Sequence, residues 1–185
     1  MFVAIELPPS VLHDIEQAIA PLRAALPNLA WTDAPQRHIT MKFLGSIASD
    51  SAERLAPMMD AVTRAHRSFA IHVSRVGAFP NFRKARVLWL GVEPEPRFEL
   101  LQHDLELAGE AVGFEVEGRA FRPHVTLARI ATPLDVEHMR TFARAARKVD
   151  FTASVNVAEM TLFESTLAPS GAHYRRIHAA TLGGR

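Results

Sequence analysis

The sequence predicts an α+β fold of two similar lobes, each with an antiparallel-rich sheet and outer helices, related by a pseudo-twofold around a central cleft. Three observations predict it. Short apolar, β-branched runs alternate with longer helical patterns along the chain. The pattern of the first half returns in the second half at nearly the same spacing. Each half also contains one copy of a four-residue phrase, HITM at 38–41 and HVTL at 124–127.

In the first half, apolar periodicity and proline or glycine breaks define the elements. Pro8 closes the opening FVAIEL run, Ser10 is expected to cap the first helix, and Gly45 ends the strand that carries HITM. The predicted elements in order are a strand at 2–7, a helix at 10–25, a loop at 31–37, a strand at 38–44, a helix at 50–67 and a strand at 69–76.

In the second half the same logic applies. VLWLGV is a short β-branched run, Pro96 opens a helical pattern, and HVTL lies in a run of strand-forming residues. The predicted elements are strands at 87–92, 124–130, 151–157, 160–164 and 174–182, and helices at 96–112 and 135–147.

The two halves match in spacing as well as in order. His38 follows Phe2 by 36 residues, and His124 follows Val87 by 37. Two copies of a strand–helix–strand–helix–strand unit are too few for a solenoid. They suit two lobes that face each other across a pseudo-twofold cleft, within one domain that spans residues 1–185.

The repeated phrase places polar side chains on one face of each strand, because strand residues alternate between faces. The members of this face share a polar or charged side chain: His38, Thr40, Lys42, His124 and Thr126. The apolar residues between them, including Met41 and Phe43, are expected to face the helices. Under the pseudo-twofold, each half then supplies one wall of a single site.

Two imidazoles on opposite walls suit general acid–base chemistry, since one can be neutral and the other protonated near pH 7. The threonine hydroxyls at the same depth suit the oxygens of a phosphoryl group. A duplicated pair of structural histidines would give the same pattern. A zinc site is less well supported, because further ligands at short spacing, such as His-Glu-x-x-His, are lacking.

Composition restricts the remaining classes. The chain has no cysteine, which excludes disulfides, zinc–thiolate sites and cysteine nucleophiles. Its net charge of +1 means that any affinity for a polyanion must come from a local patch. The N-terminal segment lacks the features of a signal peptide, and no stretch is long and apolar enough to span a membrane. We therefore expect a cytoplasmic monomer without a membrane partner.

The sequence resembles the 2H phosphoesterase superfamily, and more closely its branch of RNA 2′,3′-cyclic phosphodiesterases, also called 2′–5′ RNA ligases. The resemblance covers nearly the whole chain through blocks in the same order: FVAIELP, HITMKFLG, VLWLGV, RPHVTLARI, and a closing ES followed by YRRI. Met41 departs from the leucine usual in the family. Both histidines and both threonines match.

The resemblance implies metal-independent opening of a 2′,3′-cyclic phosphate to a 2′-phosphate, without a cofactor, on RNA ends or nucleoside 2′,3′-cyclic phosphates. Some members also join RNA ends reversibly through a 2′–5′ linkage. It implies His38 as general acid and His124 as general base. A cation near His38 would favour the reverse, since Arg37 and Lys42 are close in sequence and Ala128 replaces Lys42 in the second copy.

The candidate substrate- and phosphate-binding residues are Thr40, Thr126, Arg129, Phe43 and Tyr174. Strict alternation would turn Arg129 away from His124, so this position requires either a bend in the strand or the end of the strand. Tyr174 lines either the cleft or the edge of the core. The segment 79–86, FPNFRKAR, is either an RNA contact or a solvated hairpin loop with one phenylalanine beneath it.

Two alternatives to an RNA cyclic phosphodiesterase stay open. One is an RNA-end binding module with little or no catalysis. The other is a phosphodiesterase for a smaller cyclic phosphate, such as one derived from ADP-ribose. The two intact His/Thr pairs favour the enzyme, because a binding module has no need of both imidazoles.

Overall fold

A computed structural model describes residues 1–47, 49–132, 134–168 and 171–183. It contains four helices: α1 Pro9–Ala25, α2 Ser49–Arg64, α3 Pro96–Ala111 and α4 Val136–Ala146. Its nine strands are β1 Phe2–Glu6, β2 Ala30–Trp31, β3 His38–Phe43, β4 Phe69–Phe79, β5 Val87–Val92, β6 His124–Arg129, β7 Thr152–Val157, β8 Glu159–Ala168 and β9 Gly171–Thr181. The predicted α+β class is confirmed.

The element boundaries differ from the sequence predictions at a few places. Ser10 does not cap α1: the helix begins at Pro9, and no side chain caps it. Proline has no backbone N–H, and the first turn of a helix does not use that donor. Pro9 can therefore begin the helix, which explains the earlier start. β4 continues past residue 76 to Phe79, because a bulge at Arg75, with φ of 54°, bends the strand without ending it.

All strands join one antiparallel sheet in the order β7-β4-β5-β6-β3-β1-β8-β9, with β2 added beside β6. β3 and β6, which carry the two repeated phrases, are central neighbours. They share the pair Ile39–Val125. Beyond it, β6 pairs with β2 on that side through Ala30–Arg129 and Trp31–Ala128. The two halves of the sheet therefore meet at one point and diverge from it.

The halves exchange strands across this meeting point. β4 follows α2 of the first half but pairs with β5 of the second half. β8 and β9 close the second half in sequence, yet β8 pairs with β1. Each lobe of the sheet thus contains strands from both halves of the chain, arranged around the pseudo-twofold that the repeat predicted.

The helices pack on one face of the sheet. The buried side chains of α1, including Ile15 and Leu22, and those of α3, including Leu101, form one core with Ile39 and Val125 of the central strands. A separate small cluster on the other face contains Phe2, Ala4 and Phe163, with Tyr174 packed against it. Since strand side chains alternate, the open face belongs to His38 and Thr40. We call it the His/Thr face.

Equivalent bulges interrupt β3 and β6 at the last residue of each phrase. In β3 the register with β1 passes from Thr40 to Lys42, which leaves Met41 as the extra residue. In β6 the register with β5 passes from Thr126 to Ala128, which leaves Leu127 as the extra residue. An extra residue reverses the alternation that follows it.

Strict alternation was therefore wrong for three residues. Lys42 is buried on the helical side, 3% exposed, and not beside His38. Phe43 is 68% exposed and turns to the His/Thr face, where its ring lies 6.3 Å from that of Phe2. Arg129 is exposed on the face of His124, because the bulge supplies the bend that this position required.

Lys42 is held by a buried network on the helical side. Its ammonium pairs with the Glu106 carboxylate of α3 and donates to the Glu115 carbonyl at 2.7 Å. Glu106 also accepts from the Glu117 backbone N–H at 3.1 Å. The network ties β3 to α3 and to the segment that leads into β6. A buried charge is tolerated when it is paired and hydrogen-bonded in this way.

Among the helices that the structure describes, none is long and apolar enough to cross a membrane.

Candidate active site

The two histidines are oriented by the same contact. His38 Nδ1 lies 2.8 Å from the Gln36 carbonyl oxygen, and His124 Nδ1 lies 2.7 Å from that of Arg122. A carbonyl oxygen only accepts, so Nδ1 carries a proton in both rings. In the neutral rings, Nε2 is therefore the basic nitrogen. For His38 it lies 3.1 Å from Thr40 Oγ1, whose hydroxyl donates to it.

The meeting point of the sheet brings the two phrases together. Ile39 and Val125 pair with their side chains in the core. The residues on either side of them are half-buried on the opposite face: His38, Thr40, His124 and Thr126. Antiparallel pairing runs the two strands in opposite directions, so each histidine lies toward the threonine of the other strand. All four predicted residues thus share one site.

Aromatic rings enclose His38. Its ring stacks on Phe2 with centroids 4.7 Å apart, and the Tyr174 ring meets it edge-on at 5.4 Å. Phe163 lies at 6.4 Å. Tyr174 therefore lines the site and also borders the Phe2 cluster. The two positions expected for it, the cleft and the edge of the core, are the same place. Phe2 and Phe163 were missed from the sequence, because they reach His38 only through the pairing of β1 with β3 and β8.

Aromatic rings also border His124. The Phe79 ring meets it edge-on with centroids 4.9 Å apart, and Trp89 lies at 6.5 Å. Trp89 lies flat against Gly77, where a Cβ atom would sit 2.1 Å from the indole ring. Phe79 pairs with Val87 as Phe163 pairs with Phe2, so the two phenylalanines occupy equivalent places in the repeat. Because this equivalence depends on strand pairing, it left no signal in the sequence.

Burial lowers the pKa of both His38 and His124 below the usual histidine value of 6.5. The Nδ1–H donations to backbone carbonyls oppose this shift, and the positive charge of Arg129 adds to it for both rings. For His38, the proximity of His124 lowers the pKa further. Both imidazoles are consequently biased towards the neutral form until a negative group enters the site.

The remaining candidates lie around this centre. Arg129 places its cation where it acts on both histidines. Phe43 lies at the margin, next to Phe2. Phe43 and Arg129 occupy equivalent positions, five residues after each histidine and beyond each bulge. The pseudo-twofold is thus broken at these positions, with an apolar residue on one wall and a cation on the other.

Two pockets lie away from the motif histidines. One of about 420 Å³ lies between the end of α1 and the segment 129–138. Another of about 370 Å³ lies between the segment 80–86 and the start of α4. Among the described residues, no group of three or more histidine, aspartate or glutamate side chains is placed to hold a metal ion.

Comparison with known protein families agrees with this architecture. The model of the 2′-5′ RNA ligase superfamily matches residues 7–168. An RNA 2′,3′-cyclic phosphodiesterase of Methanothermobacter thermautotrophicus is 28% identical over 94% of this chain and 93% of its own length. One of Aeropyrum pernix is 30% identical over 82% of this chain and 89% of its own length.

Solved structures show the same fold. TT0787 of Thermus thermophilus superposes with a TM-score of 0.82 at 24% identity, covering 99% of this chain and 97% of its own. E. coli LigT complexed with 3′-AMP superposes with a TM-score of 0.76 at 24% identity, covering 98% and 96%. With a family match that spans most of its length and both repeated phrases, this chain belongs to the 2′-5′ RNA ligase superfamily.

Proposed function

We propose that this protein hydrolyses 2′,3′-cyclic phosphate ends of RNA to 2′-phosphates, with His38 and His124 as an acid–base pair. The observation that carries the proposal is the paired orientation of the two imidazoles, each with Nδ1–H on a carbonyl and Nε2 as the basic nitrogen. The names of relatives at 28–30% identity support the substrate. A LigT crystal structure that contains 3′-AMP supports nucleotide binding by this fold.

The reaction needs one base and one acid on opposite sides of phosphorus. The base removes a proton from water, and the water oxygen forms a bond to phosphorus in line with the P–O3′ bond. That bond breaks, and the acid gives its proton to O3′, which leaves a 2′-phosphate. Each proton-transfer role contributes about 10²–10⁴ in rate. Histidines on two diverging strands suit such an in-line geometry.

The other polar groups suit the non-reacting phosphate oxygens. Thr40 and Thr126 offer hydroxyl donors beside the imidazoles, and Arg129 offers a cation that acts on both. These donors stabilise the charge that builds on the equatorial oxygens in the transition state. A bound phosphate would also offset the positive charge of Arg129, so one imidazole can hold a proton in the complex.

We assign His38 as the general acid and His124 as the general base. The family resemblance supports this assignment. Lys42, the cation that argued against it, lies on the helical side with Glu106 and not beside His38. Arg37 is also turned away and pairs with Glu16 of α1 at 2.6 Å. The proximity of Arg129 and His124 still favours neutral His38 in the free enzyme.

The same pair serves RNA ligation without additional groups. If the 5′-hydroxyl of a second RNA replaces water, the base takes its proton and its oxygen bonds to phosphorus. The P–O3′ bond breaks, O3′ receives the proton of the acid, and a 2′–5′ linkage results. No nucleotide triphosphate enters this balance, because the cyclic phosphate already contains the bond that is exchanged.

Turnover of a nucleoside 2′,3′-cyclic phosphate in EDTA, with the product identified by phosphorus NMR, tests the function. We expect a 2′-phosphate, and at least about a 10² loss of turnover in His38→Ala and in His124→Ala. His103→Ala, at an exposed position on α3, is the matched control. The double variant should cost much less than the product of the two losses.

An activated aryl phosphodiester that the enzyme accepts separates the two roles, since a good leaving group needs little acid. His38→Ala should then recover much of its rate, and His124→Ala should not; the opposite pattern would exchange the roles. Wild-type turnover in either alanine variant would refute the pair. Activity lost in EDTA and restored by zinc or manganese would overturn the metal-free mechanism. RNA-end binding without turnover would identify a binding module.

A further inference from the structure

Among the described residues, seven exposed cations without carboxylate partners lie in the turn at 83–86 and in or just after α4, while others, such as Arg64 and Arg67, lie elsewhere. Elsewhere several basic side chains form ion pairs with carboxylates: Arg23, Arg37, Lys42, Arg97, Arg119, Arg175 and Arg176. In contrast, a group of exposed cations forms no ion pair with any residue in the described ranges: Arg83, Lys84, Arg86, Arg140, Arg144, Arg147 and Lys148. With a net charge of +1, this is a local feature and not a global excess.

Part of this group surrounds a pocket of about 370 Å³. Its cationic lining comes from Arg83, Lys84 and Arg86. Its apolar lining includes Ala85, Leu134 and Met139, from the turn and from the region of α4. Cations around an apolar floor match a nucleotide, whose phosphates need positive charge and whose base has an apolar face.

The turn that carries these cations is fixed in place. The Asn81 side chain accepts hydrogen bonds from the backbone N–H groups of Arg83 and Lys84 at 3.0 and 3.1 Å. The Phe82 ring packs on Phe142 of α4 with centroids 5.2 Å apart. Phe82 is still 36% exposed, so α4 covers its ring only in part, and the cations stay exposed around the pocket. The RNA contact of this segment stays a prediction.

The pocket is connected to the catalytic face by short covalent and hydrogen-bonded links. Phe79, next to the pocket residue Pro80, meets the His124 ring edge-on at 4.9 Å. On the far side of the turn, the Arg86 carbonyl accepts from Ile130 N–H at 2.9 Å, one residue beyond Arg129. His124 and Arg129 are five residues apart, or about 16 Å at roughly 3.3 Å per residue. A strand of a few nucleotides spans that separation.

We propose that this pocket binds the RNA strand on the 5′ side of the reacting end. This inference rests on the proposed function. A 2′,3′-cyclic phosphate lies on the last nucleotide, so the whole remaining strand leaves the catalytic face on the 5′ side. The pocket recognises phosphate charge and a stacked base without reading base edges, so the preference is for length and not for sequence.

The test compares substrates that share the reacting end and differ in length. In the wild type, kcat/KM should rise from a mononucleotide cyclic phosphate to an octanucleotide with the same end. Arg83→Ala/Lys84→Ala should lose most of that rise, by about tenfold, and leave mononucleotide turnover unchanged within about twofold. The slope of log affinity against log salt for the octanucleotide should flatten by about 1.4, at about 0.7 for each lost phosphate contact.

The matched control removes two exposed, unpaired charges elsewhere. The variant Arg64→Ala/Arg67→Ala changes two residues at the end of α2, a helix that packs on β9 in the other lobe. It should change neither the length dependence of kcat/KM nor the salt slope. Octanucleotide affinity measured by fluorescence anisotropy gives a readout that does not need turnover. Failure of the proposed function, with no turnover of any cyclic phosphate, is thus distinguishable from failure of the pocket.

Three results would overturn the inference. The first is an octanucleotide affinity that Arg83→Ala/Lys84→Ala leaves unchanged. The second is an equal loss for mononucleotide and octanucleotide, which would mean that the turn shapes the catalytic face. The third is an equal loss from the control variant, which would mean that only net charge matters. Unchanged RNA affinity together with binding of an acidic protein would assign the cations to a protein partner.

Discussion

Arg129 acts on both histidines, which makes it the residue where binding and proton transfer meet. Its charge lowers the pKa of His38 and of His124, in addition to the effect of burial. A free enzyme with one acid and one base gives a bell-shaped dependence of kcat/KM on pH, limited by their two pKa values. With both pKa values lowered, we expect the optimum of kcat/KM below pH 6.5.

Arg129→Gln should move that profile. Without the cation, the pKa of the base and the pKa of the acid both rise, so the acidic and the alkaline limbs shift to higher pH together. The loss of a charge-assisted hydrogen bond to phosphate should lower kcat/KM by about 10–10². Profiles of kcat/KM against pH for the two proteins are the measurement.

Arg122→Gln is the matched control, because Arg122 is exposed next to the second phrase and contributes to the orientation of His124 only through its backbone carbonyl. Its profile should coincide with that of the wild type. A shift of the same size in both variants would mean that long-range charge, and not Arg129 itself, sets the two pKa values.

The sequence was sufficient to predict residues that belong to the repeat, and insufficient for residues that reach the site through pairing. His38, Thr40, His124 and Thr126 were predictable, because alternation around a duplicated phrase gives their face directly. Phe2, which stacks on His38, lies 36 residues away, and nothing in its local sequence specifies that contact.

Among the elements, the two bulged strands decide which side chains reach the site. An extra residue at Met41 buries Lys42 and exposes Phe43, and an extra residue at Leu127 exposes Arg129. A sequence has no clear signal for such bulges, because their register depends on the partner strand. In a repeat, such bulges can be recognised when strict alternation fails at the same position in both copies.

The buried Lys42–Glu106 pair between β3 and α3 yields a stability prediction. Lys42→Met leaves the Glu106 carboxylate buried without its partner and should lower the free energy of unfolding by about 3–5 kcal/mol. Lys42→Met/Glu106→Leu removes both charges and should restore most of that loss. Denaturant titration of the three proteins measures it.

Arg97→Ala serves as the control, since the Arg97–Glu95 pair lies at the exposed start of α3. Exposed pairs contribute about 0–1 kcal/mol, so its effect should be small. If Lys42→Met also costs less than about 1 kcal/mol, the pair is not what links β3 to α3.

At the scale of the whole molecule, the exchange of strands couples the two halves. β4 belongs to the sheet of the second half, and β8 and β9 belong to that of the first. The duplication was predictable from spacing, but the exchange was not, because the helix-to-strand order along the chain is the same whichever lobe receives the strand.

This exchange predicts one cooperative unfolding transition, although the chain exceeds the length at which two-state behaviour is usual. The two tryptophans, Trp31 in β2 and Trp89 in β5, both lie in strands that pair with β6, so their indoles report on that lobe, whereas circular dichroism reports on both lobes. Urea unfolding of Trp31→Phe and Trp89→Phe, each followed by the fluorescence of the remaining indole and by far-UV circular dichroism, should give coincident curves within each variant. Separate midpoints for indole and backbone would show lobes that unfold independently.

The strand exchange also has a consequence during synthesis on the ribosome. β1 lies between β3 and β8, and β8 pairs in turn with β9, so β1 gains its second neighbour only from the late hairpin of β8 and β9. At roughly 5–20 residues per second, translation from residue 43 to residue 181 takes on the order of ten seconds. During that interval the nascent chain exposes the unpaired backbone edge of β1. It also exposes the ring of Phe2, which later stacks on His38. We expect chaperones at the ribosome to hold the nascent chain there until the hairpin emerges.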